Sequence, residues 1–381
     1  MDLITTIAAD LQSFMSYVVP FLFVLTIIVF FHELGHFAVA RWCGVAVETF
    51  SIGFGPEIWG FDDKKGTRWK LSWIPLGGYV KFAGDDNAAS VPDRDQLEKM
   101  SLEEREGNFH AKKLWQRAAV VAAGPIANFI LAIVIFAFIY AAVGRQIIAP
   151  RVDSVQENSA AAEAGFKVDD VILSIGDKKI GSFSDMQRII STSADKKLEI
   201  TIDRAGKTMT LVATPRRKEI TDRFGNVYRI GLLGISRNAA KDEVKFERAD
   251  PLTALWMGTK ETWFMIVRTL EYLGDVIVGR EDSSQLGGPL RIAQISGQVA
   301  SISFLALLNL AALLSVNIGL INLFPVPMLD GGHLMYYGIE ALRGKPLSER
   351  VQDFGFKIGM ALVLMLMVFA TWNDLVHFSV F

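Results

Sequence analysis

The sequence predicts a polytopic α-helical membrane protein with about four transmembrane helices, a β-rich insert on the cytosolic side and an α+β domain on the other side. Three observations carry this expectation. Four apolar runs are long enough to cross a bilayer, the basic residues cluster in alternate loops, and strand-like patterns are confined to two connections.

A bilayer-crossing helix takes about 20 apolar residues. The runs at 18–40, 118–143, 302–324 and 355–372 meet that requirement. The chain is 51% hydrophobic yet 21% charged, which suits apolar spans joined to soluble segments better than one soluble globule. The net charge of −2 offers no basic surface for nucleic acid. The single cysteine, Cys43, excludes an intrachain disulfide framework and has no neighbour that would activate its thiol. The opening residues lack a basic start and a small-residue cleavage site, so the first span is expected to stay in the mature chain.

Charges set the orientation. Residues 1–31 hold no Lys or Arg, whereas Arg41, Lys64, Lys65, Lys112 and Lys113 follow the first span. Arg343, Lys345, Arg350 and Lys357 lie between spans three and four, and the tail beyond Trp372 has no Lys or Arg. The positive-inside rule then puts both basic loops in the cytoplasm and both termini outside.

Six segments are expected: a first span at 1–44, the insert and a connector at 45–116, a second span at 117–144, an outer domain at 145–218, an outer segment at 219–300, and spans three and four at 301–381. Glycines, aromatics and β-branched residues in 45–82 predict two strand pairs with turns at Gly55-Pro56 and at 62–66. Trp59, Trp69, Trp73 and Tyr79 suit a water–lipid interface, although a hairpin clear of the membrane fits the composition equally. Residues 85–105 are charged and read as a mobile connector. In the outer loop, strand-like runs at 172–176, 198–202 and 209–214 alternate with turns and a helical patch at 183–190. The Ala-rich stretch from Ser159, the Gly165 turn and the Asp169-Asp170-Val171-Ile172 entry into a strand resemble the core of a bacterial PDZ domain. Such a domain holds a peptide or protein ligand by strand addition. The alternative is a β-rich spacer. Residues 251–279 predict an amphipathic helix lying at the membrane surface, since its charges argue against a fifth span; the alternative is a packing helix of the outer domain.

The chemistry begins at His32-Glu33-Leu34-Gly35-His36, inside the first span. Residues four apart share a helix face, so both imidazoles can hold one Zn²⁺ while Glu33 takes a proton from an activated water. Ionisable groups within a span are costly and mark function, and only five histidines occur in the whole chain. A catalytic zinc takes a third protein ligand, for which Asp330 in Asn322–His333 is the candidate. Pro325 and Pro327 break the helix there, and Gly331-Gly332 permit a tight reversal. At about 1.5 Å per residue His32 lies roughly 21 Å along its span, toward the cytoplasmic end where Asp330 also emerges. Asn322 is placed to meet a developing oxyanion, to hold a substrate strand, or simply to pack. His333 is a rival ligand or a helix-end hydrogen-bonder, and His110 and His377 read as surface residues. Gly124, Pro125 and Asn128, at the start of span two, read as support for the site.

HExxH in span one, GPxxN in span two and NxxPxPxLDGG after span three together resemble the site-2 protease family of intramembrane zinc metalloproteases. The β-rich insert and the outer PDZ-like region are similar to the bacterial regulator-of-sigma-E protease type. That type often carries two PDZ domains, whereas residues beyond Pro215 offer no second Ala-rich helix and turn. The resemblance implies a zinc metalloprotease of the bacterial cytoplasmic (inner) membrane that acts within the lipid bilayer. It would cut single-span membrane proteins in or near their transmembrane segment after an upstream protease has shortened them. Anti-sigma factors and signal-peptide remnants are the substrate types implied. A competing reading is a transporter or metal-handling membrane protein with a recruiting domain, which would need metal ligands but not Glu33.

Overall fold

A computed structural model describes residues 3–85, 101–221, 227–238, 245–279 and 287–377. The expected connector at 85–105 falls largely on 86–100, outside the described residues; its end, Leu102–Gly107, is a short helix, α2. Two units form, Met1–Ile139 with Ala254–Phe381, and Tyr140–Thr253.

In the first unit the apolar runs become helices because every backbone donor is then paired within its own segment. These are α1 (Leu3–Trp42), α3 (Leu114–Ala142), α8 (Phe304–Asn322) and α10 (Glu349–His377). Each contains a stretch long and apolar enough to cross a membrane. α3 packs against both α1 and α8. A Cβ on Gly35 of α1 would lie 2.7 Å from Ala127 Cβ of α3, and one on Gly319 of α8 would lie 3.1 Å from Asn128 Cβ. The Ser315 hydroxyl of α8 donates to the Asn128 carbonyl at 2.8 Å. Small residues thus bring the three backbones close enough for their polar groups to meet.

Gly44, at φ +70°, ends α1 and turns the chain into β1 (Val47–Asp62), which pairs antiparallel with β2 (Arg68–Phe82). Asp63 Oδ1 accepts from Lys65 N and Thr67 N at 2.8 and 3.0 Å, closing the turn expected near 62–66. Gly55-Pro56 do not form the second turn; they fall at an irregularity inside β1, between the pairs Phe54–Ile74 and Glu57–Ser72. β2 instead folds around β1, so that Phe50 faces both Val80 and Trp69. Residues 78–82 become an outer strand. Trp59 and Trp73 are exposed at 63% and 68%, as an interfacial role needs. Trp69 is half-buried and stacks on Phe50 at 4.3 Å.

Two more helices pack against these spans. The amphipathic helix α6 (Pro251–Ile277) rests Gly258 against the Ile133 carbonyl of α3, and its Thr269 hydroxyl donates to Asn317 Oδ1 of α8 at 2.9 Å. Its small and hydroxyl groups therefore meet neighbouring helices rather than lipid headgroups alone. α7 (Pro289–Ala300) rests Gly297 against Ser16 and Tyr17 of α1.

The second unit opens with β3 (Arg145–Ile147), β4 (Ser154–Val155) and α4 (Ala160–Ala164). Ser159 caps α4 by accepting from Ala162 N, and Gly165 ends it at φ +83°. β5 (Val171–Ile175), β6 (Lys178–Lys179), β7 (Leu198–Arg204) and β8 (Lys207–Ala213) form an antiparallel sheet ordered β6-β5-β7-β8. Helix α5 (Phe183–Ser191) is capped by Ser182 and buries Met186 and Ile190 with Ile172, Ile200 and Ile202. Beyond Pro215, β9 (Arg216–Thr221) pairs with β10 (Val227–Leu232). β11 (Ile235–Ser236) pairs with β4, and β12 (Lys245–Glu247) with β3. Asp170 is fully buried and takes two hydrogen bonds from Arg204 at 2.7 Å. Burial alone would raise its pKa, but the guanidinium and the Lys167 N–H hold it below the usual carboxylate range.

Candidate metal centre and active site

His32 and His36 lie one turn apart on α1, and their Nε2 atoms are 3.2 Å apart. Asp330 opens α9 (Asp330–Arg343) and points its carboxylate between them. Oδ2 is 3.3 Å from His32 Nε2, and Oδ1 is 3.6 Å from His36 Nε2. Residues almost 300 positions apart in the chain thus present two nitrogens and one oxygen within 4.8 Å of one another.

How Asp330 arrives there follows from the broken segment before it. α8 ends at Asn322, and Val326 N bonds the Phe324 carbonyl at 2.7 Å, turning the chain back. Met328 holds φ +121°, a conformation that side chains other than glycine rarely adopt. Gly331 and Gly332 let the start of α9 lie on the turn, since a Cβ on Gly332 would come within 2.6 Å of Pro327 Cα.

The ring nitrogens away from the carboxylate are also occupied. His36 Nδ1 donates to the Val120 carbonyl of α3 at 2.9 Å, which leaves its Nε2 lone pair for a metal. His32 Nδ1 lies 3.2 Å from the Asn128 side-chain amide. With the amide oxygen turned to the ring, Asn128 accepts the Nδ1–H, which also gives its otherwise unpaired Oδ1 a partner. Gly124 makes room for both rings: a Cβ there would overlap His36 Nε2 and lie 2.8 Å from His32 Cε1. Pro125 is buried beside it, with its carbonyl 3.0 Å from the place of a Gly319 Cβ.

The donor set fits zinc. Two imidazole nitrogens and a carboxylate oxygen are a catalytic zinc ligand set that leaves a coordination position open. Asp330 Oδ2 is buried and makes no hydrogen bond, as an atom awaiting a cation would be. Glu33 faces the same cavity but is not part of the triad. Val80, in the outer strand of β2, lines the cavity beside it. Gly78 permits that approach, because a Cβ there would lie 3.3 Å from Glu33 Cγ.

Asn322, Met328, Tyr79 and His333 line the cavity as well. His333 is not within the three-donor group. His110 differs from expectation. Its side chain is only 3% exposed, and its Nε2 lies 3.8 Å from Asp85 Oδ1, which also lines the cavity. No local spacing announces this pair, because Asp85 and His110 flank 86–100 and meet only where Phe109 N bonds the Ala83 carbonyl at 3.0 Å.

Comparisons with known proteins point to the same metal. The profile of "Peptidase family M50" matches residues 20–366. A protein of Agrobacterium fabrum described as "putative zinc metalloprotease" is 50% identical over 370 residues, covering 97% of this chain and 98% of that protein. Metalloprotease MmpA of Caulobacter vibrioides is 42% identical over 391 residues, with 97% and 98% covered. Among solved structures, the PDZ domain of an SdrC-like protein from Listeria monocytogenes matches 23% of this chain and 83% of that chain, at 18% identity and TM-score 0.18. That likeness is too slight to assign a fold. The family match runs through every helix that supplies the cavity, and the relatives match nearly end to end, so the chain belongs to peptidase family M50, the site-2 proteases, as a zinc metalloprotease.

Proposed function

We propose that His32, His36 and Asp330 hold the zinc, that Glu33 is the general base, and that the protein hydrolyses peptide bonds in or near the transmembrane segment of single-span membrane proteins. The observation that carries this reading is a three-donor group and a separate carboxylate in one cavity, built from a helix apolar enough to cross a membrane. When bound, zinc supplies Lewis acidity toward a carbonyl oxygen and toward water. Glu33, which lines the same cavity, takes a proton from the attacking water and passes it to the departing amide nitrogen. Asn322 lines the cavity, where its amide can donate to the carbonyl oxygen as charge builds on it. Membership of a peptidase family displaces the transporter reading.

The setting follows from the charge pattern. Both termini and the second unit lie outside the cytoplasm of a bacterial inner membrane, and the β1–β2 insert lies on the cytosolic side. The second unit acts as a PDZ-like recruiter, and the substrates are membrane proteins already shortened by another protease, such as anti-sigma factors or signal-peptide remnants. Mapping the cut by mass spectrometry tests this. Protein reconstituted in lipid with a shortened single-span substrate is expected to cut within or beside the apolar stretch. Cuts confined to soluble loops would sink the reading.

A substrate helix must unwind before its amides can be attacked, and the outer strand of β2 is suited to hold the unwound stretch by strand addition. Tyr79, Val80 and Phe82 of that strand line the cavity. A Cys43→Ser, Glu33→Gln chain carrying Tyr79→Cys is expected to crosslink to substrate cysteines with a two-residue period, because alternate side chains of a strand share a face. Crosslinks without that period would exclude a strand.

A further inference from the structure

Gly355 and Gly359 lie four residues apart on α10, hence on one face. α10 is otherwise widely exposed, with Val368 at 67%. A Cβ on Gly359 would overlap the Pro327 carbonyl oxygen, which is backbone and cannot swing away as a side chain can. A Cβ on Gly355 would overlap the Tyr336 hydroxyl and lie 3.6 Å from Pro327 Cγ. Pro327 bridges to Leu329, directly before Asp330, and Tyr336 belongs to the helix that Asp330 opens. The two glycines therefore touch the chain on both sides of one carboxylate.

Between those contacts lies Met328, at φ +121°. A backbone in that region is strained and persists only where its surroundings hold it. A glycine face allows Cα–H to carbonyl contact close enough to serve as that wall.

We propose that Gly355 and Gly359 are positioning residues for the metal site, with α10 as the wall that fixes the Pro327–Leu329 turn and keeps Asp330 within reach of His32 and His36. This rests on the three-ligand zinc site proposed above. A packing role alone would lower stability without changing the ligand geometry of the folded protein.

Cobalt(II) loaded in place of zinc into the full-length, detergent-solubilised protein reports that geometry through its visible d–d absorption. Gly359→Ala is expected to shift the band toward that of Asp330→Asn and to weaken zinc binding about 10–100-fold, the range for groups that orient ligands. Gly355→Ala should produce a smaller shift, and adding Tyr336→Phe should restore the wild-type band by removing the obstructing hydroxyl. Val368→Ala, on the exposed face, should change neither quantity. A folded Gly359→Ala protein with wild-type band and affinity overturns the proposal. Should that variant not fold, the Gly355 pair decides: a shift that Tyr336→Phe reverses supports the wall, and no shift, or one unmoved by it, overturns it. If Asp330→Asn itself leaves the band unchanged, the zinc-site reading fails, and the wall loses its purpose with it.

Discussion

Glu33→Gln is expected to lower kcat for cleavage of a single-span substrate by about 10²–10⁴-fold, the usual contribution of general acid–base catalysis, with zinc content and KM unchanged. Glu33 is adjacent to His32 in the chain and faces the same cavity, but one observation separates it from the proposed ligands: it is not among the three donors within 4.8 Å of one another. Glutamine keeps the shape and a side-chain oxygen acceptor, so the helix and the strand beside it have no reason to move. What glutamine lacks is basicity. Asp330→Asn should behave differently, losing zinc and activity together, because it weakens a ligand rather than the base. Purified Glu33→Gln protein, assayed for zinc by atomic absorption and for cleavage in lipid, distinguishes the two roles. Full activity in that protein would remove Glu33 from the mechanism. Lost zinc would make it a ligand.

The parts of this site that sequence made legible are those set by short-range periodicity. HELGH announces two imidazoles on one helix face, and the structure puts their Nε2 atoms 3.2 Å apart. The strand patterns at 172–176, 198–202 and 209–214 correspond to β5, β7 and β8, since side chains alternating across a sheet leave a period of two in the chain. Asp330 was legible for another reason: prolines and paired glycines within an apolar run demand a break, and a break at membrane depth needs a use.

Long-range geometry left no such trace. Nothing near Gly55-Pro56 says that β1 pairs on two sides, because the partner strand returns from 78–82. His110 looked like a surface residue since its burial depends on Asp85 and Phe109 meeting across a connector. The Gly355–Gly359 spacing is visible in the sequence, but such a pair specifies only close approach. Which backbone it approaches is decided by the fold of Pro327. Trp69 is similar: an aromatic suited to an interface is equally suited to stacking, and only the pairing register brings it onto Phe50.

Gly124→Ala is expected to cost the protein its zinc while leaving most of its fold. The added methyl would overlap His36 Nε2 and lie 2.8 Å from His32 Cε1, so it competes directly for the space in which the two rings face Asp330. α3 cannot withdraw to make room. Gly35 of α1 is already seated against Ala123 and Ala127, one turn or less from Gly124, and Asn128 is tied to α8 through Ser315. The rings must therefore turn. Turning His36 breaks its Nδ1 hydrogen bond to the Val120 carbonyl and swings Nε2 away from the carboxylate 3.6 Å distant. Overpacking by one methyl costs about 1–3 kcal/mol, which a well-packed bundle survives. Disturbing a group that orients ligands lowers metal affinity about 10–100-fold, and here both imidazoles are disturbed at once, so the loss should reach or pass the upper end. Zinc affinity measured by chelator competition, beside Ile126→Ala on the exposed side of the same helix, checks this. A Gly124→Ala protein that binds zinc as tightly as wild type would mean the imidazoles do not sit against α3 as described, and the metal centre built on them would have to be redrawn.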